Sequence, residues 1–240
     1  MKILIISGHG AGDPGACAFN YQEAILVRDI APKLKTILSK CAEVTVFDTS
    51  KNMYKHLKAG NSFNFKNYDY VLELHFNASV NDTKGDGITT GTEILVHTSE
   101  KGTSVEKAIV DNISALGFKN RGVKTRSDLQ NMNACKRQGV SYALLETCFI
   151  DDKDDINLYM AKKDAVITAI ANGIIGGFNL GQVVTESVKE LTSANDITWE
   201  LNHSYFPISD TKKFVKELDE AKQKNSSLYW GYYKLVNRIK

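Results

Sequence analysis

Apolar positions along the first 180 residues switch repeatedly between runs of strand length and patterns of helical period, which predicts an α/β domain on a central, mostly parallel sheet flanked by helices. Residues 2 to 7 hold the unbroken run Ile3-Leu4-Ile5-Ile6, as in a strand covered on both faces. Residues 21 to 39 carry Ile25, Ile30, Leu34, Ile37 and Leu38 at helical spacing. Strands are expected again at 43 to 47, 70 to 76 and 92 to 97, with a polar, partly helical stretch around 53 to 63. A helix at 105 to 116, a late strand at 140 to 147 and a long helix through Ile167, Ile170 and Ile174 to Phe178 complete the pattern.

Beyond Leu180 the texture changes. Residues 181 to 193 are polar and linker-like, and residues 194 to 240 are helical in pattern. That last stretch holds eight of the 22 aromatic residues, including Trp199 and Trp230, which implies either a small core of its own or an exposed binding face. The expected organisation is therefore a domain at 1–180, a linker at 181–193 and a small all-helical module at 194–240.

Charge narrows the partners. Thirty Lys and Arg against 28 Asp and Glu give +2, without the basic bias that marks a nucleic-acid binder, so the partner must be read from a site. Cys17, Cys41, Cys135 and Cys148 show no CxxC spacing, which argues against a sulfur zinc site or a disulfide framework and for free thiols. No stretch approaches the roughly 20 apolar residues of a membrane span. The run Ile3 to Ile6 is too short for a signal segment, so cytoplasmic synthesis without membrane insertion is expected.

A hydrolytic zinc site needs three His or carboxylate ligands, an open position for water and a nearby base. Four residues fit that need. His9 follows the first strand within Gly8-His9-Gly10-Ala11-Gly12-Asp13-Pro14-Gly15, where small residues let backbone approach a metal or substrate closely. Glu23 lies fourteen residues on, at the start of the first helix. His75 ends the third strand and shares a face with Glu73 and Asn77, opposite Leu72, Leu74 and Phe76. Glu146 ends the run Ala143-Leu144-Leu145, and an acid so placed has a charged partner or a task. His9, His75 and Glu146 thus fall at strand C-terminal ends, the edge on which open α/β sheets build sites.

Other polar residues carry less. Asp13 is expected to brace the glycine turn, His97 to be structural, and His56 and His203 to be solvated. Cys148 follows Glu146 closely, but no His and acid pair is placed to activate it, so a buried thiol is expected.

Five motifs in order, Gly8-His9-Gly10 to Ala16, Glu23, His75-Phe76-Asn77-Ala78, Arg121-Gly122-Val123 and Glu146-Thr147-Cys148-Phe149-Ile150, resemble the zinc-dependent N-acetylmuramoyl-L-alanine amidases of bacterial autolysins and phage endolysins. The resemblance runs from about residue 1 to 178. It implies that His9, Glu23 and His75 bind one zinc ion, that Glu146 is the catalytic acid or base, and that the substrate is bacterial peptidoglycan. Asn77 is a candidate to orient Glu146 or touch substrate, and Arg121 and Arg126 are candidates to meet the anionic stem peptide. The C-terminal module resembles helical tails of clostridial phage and prophage amidases. That implies wall targeting, with secondary wall polymers as further partners, or assembly into a homodimer. Lack of a signal segment fits an endolysin or mother-cell lytic enzyme that reaches the wall after release.

Two rival readings share these residues. Gly10-Ala11-Gly12-Asp13-Pro14-Gly15 is a literal GxGxxG after a strand, as in a dinucleotide-binding oxidoreductase. Against it, the periodic helix starts only near Tyr21, and Asp48 lies 33 residues beyond Gly15 rather than about 20. A different zinc hydrolase, such as a carboxypeptidase, would use the same His and Glu ligands, and a wall-binding protein without activity would have no need of Glu146.

Overall fold

The computed structural model describes residues 1–181, so the linker expected at 181–193, apart from its first residue, and the module expected at 194–240 lie outside the described residues. In chain order the elements are β1 (Lys2–Ser7), a small hairpin of β2 (Cys17–Ala18) and β3 (Tyr21–Gln22), α1 (Glu23–Leu38), β4 (Glu43–Val46) and α2 (Met53–Lys58). A 3-10 turn at Phe65–Asn67 leads to β5 (Tyr70–Asn77), β6 (Thr92–His97) and α3 (Ser104–Ser114). The domain closes with β7 (Asn120–Arg126), α4 (Gln130–Arg137), β8 (Ser141–Phe149) and α5 (Lys153–Gly177).

Six strands form one sheet in the order β4-β1-β5-β8-β6-β7. Pairing is parallel throughout except between β6 and β8, which run antiparallel. The expected mostly parallel α/β architecture is what forms. The one reversal matters for the site, because it brings the starts of β6 and β7 to the edge where β1, β5 and β8 end.

Alternation along the strands builds two cores. Ile3, Ile5, Leu72, Leu74, Ile94, Val96, Ala143 and Leu145 face α1, α3 and α5, while Leu4, Ile6, Val71, Leu95, Tyr142 and Leu144 face the much shorter α2 and α4. Two helices of six and eight residues cannot roof the whole of their face. A cleft of about 330 Å³ stays open over the ends of β1 and β5 and the first half of β8, walled by residues of both helices and of the β7–α4 loop.

Several expectations shift. The first helix starts at Glu23, because Tyr21 and Gln22 pair with Ala18 and Cys17, and Ile25 points to solvent at 59% exposure instead of joining the buried stripe. β8 continues to Phe149, so Glu146 lies inside the strand and not at its end. β7 and α4 were not expected, since neither carries a strong apolar period: β7 is an edge strand with Val123 as its one large apolar residue, and α4 is short and polar. All four cysteines are free thiols, with Cys135 and Cys148 buried.

Candidate metal centre and catalytic carboxylate

The glycine turn after β1 is shaped to present His9. His9 takes a left-handed conformation at φ 57°, which costs a non-glycine residue free energy and persists only where neighbours hold it. Arg28 of α1 does so by donating from Nη2 to the His9 carbonyl at 2.7 Å. Asp13 accepts from the Gly15 N–H at 3.1 Å and from Asn52 Nδ2 at 3.3 Å, which ties the turn to the start of α2. Gly15, at φ 66°, leaves no room for a side chain: a Cβ there would fall 2.7 Å from both Glu23 Oε2 and the His9 ring.

The same turn clips the start of α1 to the sheet. The Glu23 N–H donates to the Ala16 carbonyl at 2.9 Å and the Ala24 N–H to that of Pro14 at 3.1 Å. This aims the buried Glu23 carboxylate back over the sheet edge. Its Oε2 accepts from the Ala16 N–H at 3.0 Å and its Oε1 from the Phe76 N–H at 2.9 Å. The second donor is free because the β5–β8 register slips just after His75, so Phe76 leaves the ladder.

His9 Nε2 stands 3.0 Å from Glu23 Oε2, and His75 Nδ1 stands 2.8 Å from Glu23 Oε1. Ligand atoms from the three residues lie within 4.8 Å of one another, and the two rings meet edge to face at 4.9 Å. Burial opposes charge at all three, yet the contacts outweigh it. Glu23 is driven well below the usual carboxylate range by both histidines, His75 is raised by Glu23 and Glu73, and His9 is raised by Glu23. Such a set holds positive charge, as protons or as a metal ion.

Glu146 is the opposite case. It pairs in register with His75, and its Oε2 is buried without a hydrogen-bond partner among the described residues. Burial, aided by the charges of Glu23 and Glu93 and opposed by His75, pushes its carboxyl up to about 7. A proton there moves easily near neutrality, as an acid or base requires.

Two acids that the sequence reading did not assign complete the surroundings. Glu93 sits opposite Glu146 across the antiparallel pair and accepts from Arg121 Nε at 2.6 Å, from Lys124 Nζ and from Asn77 Nδ2 at 3.1 Å. Burial favours its neutral form, but Lys124 and Arg121 win and keep it ionised. Glu73 lies beneath His75 and accepts from Asn131 and Tyr142. One signal marks both residues: like Glu146, each is an acid inside an apolar strand.

The substrate-binding candidates separate. Arg121 lies near the centre, held by Glu93 and stacked 4.9 Å over the Phe149 ring. Asn77 serves Glu93 and its own turn, where its Oδ1 accepts from the Ala78 N–H, and its amide does not reach Glu146. Arg126 is five residues further along β7, beside His97 in register and paired with Asp128 on the surface. His97 itself is buried and bonded to Ser99, at the end of β6 that the reversal turns away from the metal centre. The glycine turn feeds a hairpin before α1 begins, and the first N–H groups of α1 are already taken by the Ala16 and Pro14 carbonyls of that turn, so they are not offered to a pyrophosphate and the dinucleotide reading fails.

An open α/β sheet with a His-Glu-His donor set that could hold a metal ion, beside a carboxyl raised to about 7, has the layout of a hydrolase domain. Comparison with known proteins gives the family. The profile of N-acetylmuramoyl-L-alanine amidases matches residues 3–176, and the chain belongs to that family. An endolysin of Bacillus phage SPP1 is 30% identical over 177 residues, covering 71% of this chain and 62% of its own length. A probable autolysin of Staphylococcus aureus is 26% identical over 240 residues, covering 88% of this chain and 48% of its own length. This chain therefore spans about half to three fifths of these relatives. Among solved structures, the catalytic domain of the CD27L endolysin, which targets Clostridia difficile, matches with a TM-score of 0.58 at 26% identity, over 73% of this chain and 97% of that one.

Proposed function

We propose that the chain hydrolyses the amide joining N-acetylmuramic acid to L-alanine in bacterial peptidoglycan, with one zinc ion held by His9, Glu23 and His75 and with Glu146 as acid and base. The observation that carries the reading is the convergence of His9 Nε2, the Glu23 carboxylate and His75 Nδ1 beside the unpartnered buried oxygen of Glu146. Two imidazoles and one carboxylate are the donor chemistry of hydrolytic zinc sites. Zinc in that position supplies a Lewis acid for the amide carbonyl and lowers the pKa of water to about 7.

The remaining steps belong to the chain. Glu146 takes a proton from the attacking water as the new C–O bond forms, then delivers it to the amide nitrogen as the C–N bond breaks. The products are the lactyl carboxylate and a free L-alanine amine. Glu93 holds Arg121 and Lys124 beside the centre, where their charge is placed to meet an acidic stem peptide. The cleft under α2 and α4 offers Met53, Tyr54, Leu129 and Leu144 for the rest of the polymer.

Names of the relatives support an endolysin that acts on the wall after release. No helix among the described residues is long and apolar enough to cross a membrane. Residues 194 to 240 are proposed as a targeting module for the wall and its secondary polymers, with homodimer assembly as its other role. Digestion of purified walls tests the activity: a chelator is expected to stop lysis and added zinc to restore it, with free L-alanine amines appearing and no new reducing ends. New reducing ends would overturn the amidase reading.

A further inference from the structure

Glu73 is a desolvated carboxylate with no Lys or Arg partner among the described residues. It is 6% exposed, and its hydrogen-bond partners come from three elements: Asn131 Nδ2 of α4 at 2.8 and 3.1 Å, the Tyr142 hydroxyl of β8 at 2.6 Å, and His75 Nε2 of its own strand at 3.1 Å. Burying such a group costs several kcal/mol, and an apolar residue at the same strand position would pack with less penalty. This acid stands directly behind His75, a ligand of the proposed metal site.

The geometry of His75 says why. Nδ1 points to Glu23, and through Glu23 to the centre shared with His9, while Nε2 points the other way, to Glu73. A histidine that ligates through Nδ1 must carry its proton on Nε2, and that proton needs an acceptor. We infer that Glu73 is a positioning residue which holds His75 in the Nε2–H tautomer with Nδ1 bare, turns the ring toward the metal and raises its basicity as a ligand. Asn131 and Tyr142 orient the acid in turn, so α4 and β8 set the ring of a β5 histidine. His9 has no equal arrangement. Asp13 Oδ1 lies 3.2 Å from its Nδ1 but out of line for a hydrogen bond, and Asp13 is far more open to solvent.

This inference rests on the proposed zinc site, and the experiment separates the two. Zinc affinity is measured by competition with a chromophoric chelator for the intact protein and for Glu73→Gln and Tyr142→Phe, with unfolding of the metal-free forms followed alongside. Glu73→Gln is expected to weaken zinc about 10- to 100-fold. Tyr142→Phe, which removes one donor to Glu73 but leaves the His75 contact, is expected to weaken it by far less. Equal losses in both variants, tracking lost stability, would assign Glu73 a structural role and overturn the inference. Nitrogen-15 spectra of the unaltered zinc-loaded protein decide it without any variant: His75 is expected to carry its proton on Nε2, and a proton on Nδ1 would overturn the positioning role. A protein that binds no zinc at all would instead bring down the proposed metal site, and this inference with it.

Discussion

Glu146 carries two opposite effects at the scale of one residue. Its carboxyl stands near 7 against an ordinary 4.5, so the folded state favours the neutral form. A group whose pKa is raised on folding contributes stability that is complete below the unfolded value and is lost as pH rises through the folded one. In the metal-free protein that loss falls between about pH 4.5 and 7, and at 1.36 kcal/mol per pH unit it is on the order of 3 kcal/mol. Glu146→Gln is therefore expected to stabilise the metal-free protein at pH 8 but not at pH 4, as read by urea unfolding at both. The same variant is expected to lose about 10²- to 10⁴-fold in kcat while binding zinc in full, because it removes the proton carrier and not a ligand. Retained activity with zinc bound would reassign the base. Glu73 and Glu93 share the Glu146 pattern, since all three acids interrupt apolar strands on one sheet face.

Elements decide where those residues meet. The β6 strand runs against β8, so its first charged residue, Glu93, reaches the centre while its last, His97, is carried away from it. Arg121 and Arg126, both on β7, are parted for the same reason. Pattern along the chain cannot show this, since strand direction is set by how far and over which face the connection crosses. Helix packing sets a second constraint. Gly173 of α5 lies against α3, where a Cβ would come 2.6 to 2.7 Å from Ile109, including its backbone. Alanine is the better helix former by about 1 kcal/mol in isolation, yet Gly173→Ala is expected to destabilise by about 1 to 3 kcal/mol, because backbone cannot yield as a side chain can. A shift of the unfolding midpoint to higher denaturant would refute that packing argument.

For the whole molecule, unequal cover of the two sheet faces makes an enzyme out of a scaffold. Three helices, with α5 spanning 25 residues, seal one face, and two short ones leave the other open at the edge where β1, β5 and β8 end. Everything placed at the centre lies within the described residues, so a chain ending at residue 181 is expected to keep zinc and to cleave a soluble muropeptide. If residues 194 to 240 target the wall, only the full chain sediments with purified walls. A shortened chain that sediments equally well would remove the targeting role.

The proposed His-Glu-His set and Glu146 could be picked out without coordinates, His9 by its glycine turn after β1, Glu23 by its place at the start of a helix, and His75 and Glu146 as polar residues set in apolar strands. The core strands β1, β5 and β6 were equally legible, since burial on both faces writes apolar runs, unbroken in β1 and interrupted in β5 and β6 by the polar residues of the site edge. Edge strand β7, short α4 and the hairpin before α1 were not, because partly exposed elements need little apolar period to form. Tertiary structure alone decided that Glu23 reaches both histidines, that Glu146 is buried enough to titrate near 7, and that Glu73 stands behind His75. The first two depend on desolvation and on distances between residues far apart in sequence, and the third on Asn131 and Tyr142 reaching Glu73 from other elements, quantities that exist only once the sheet has brought its strands together.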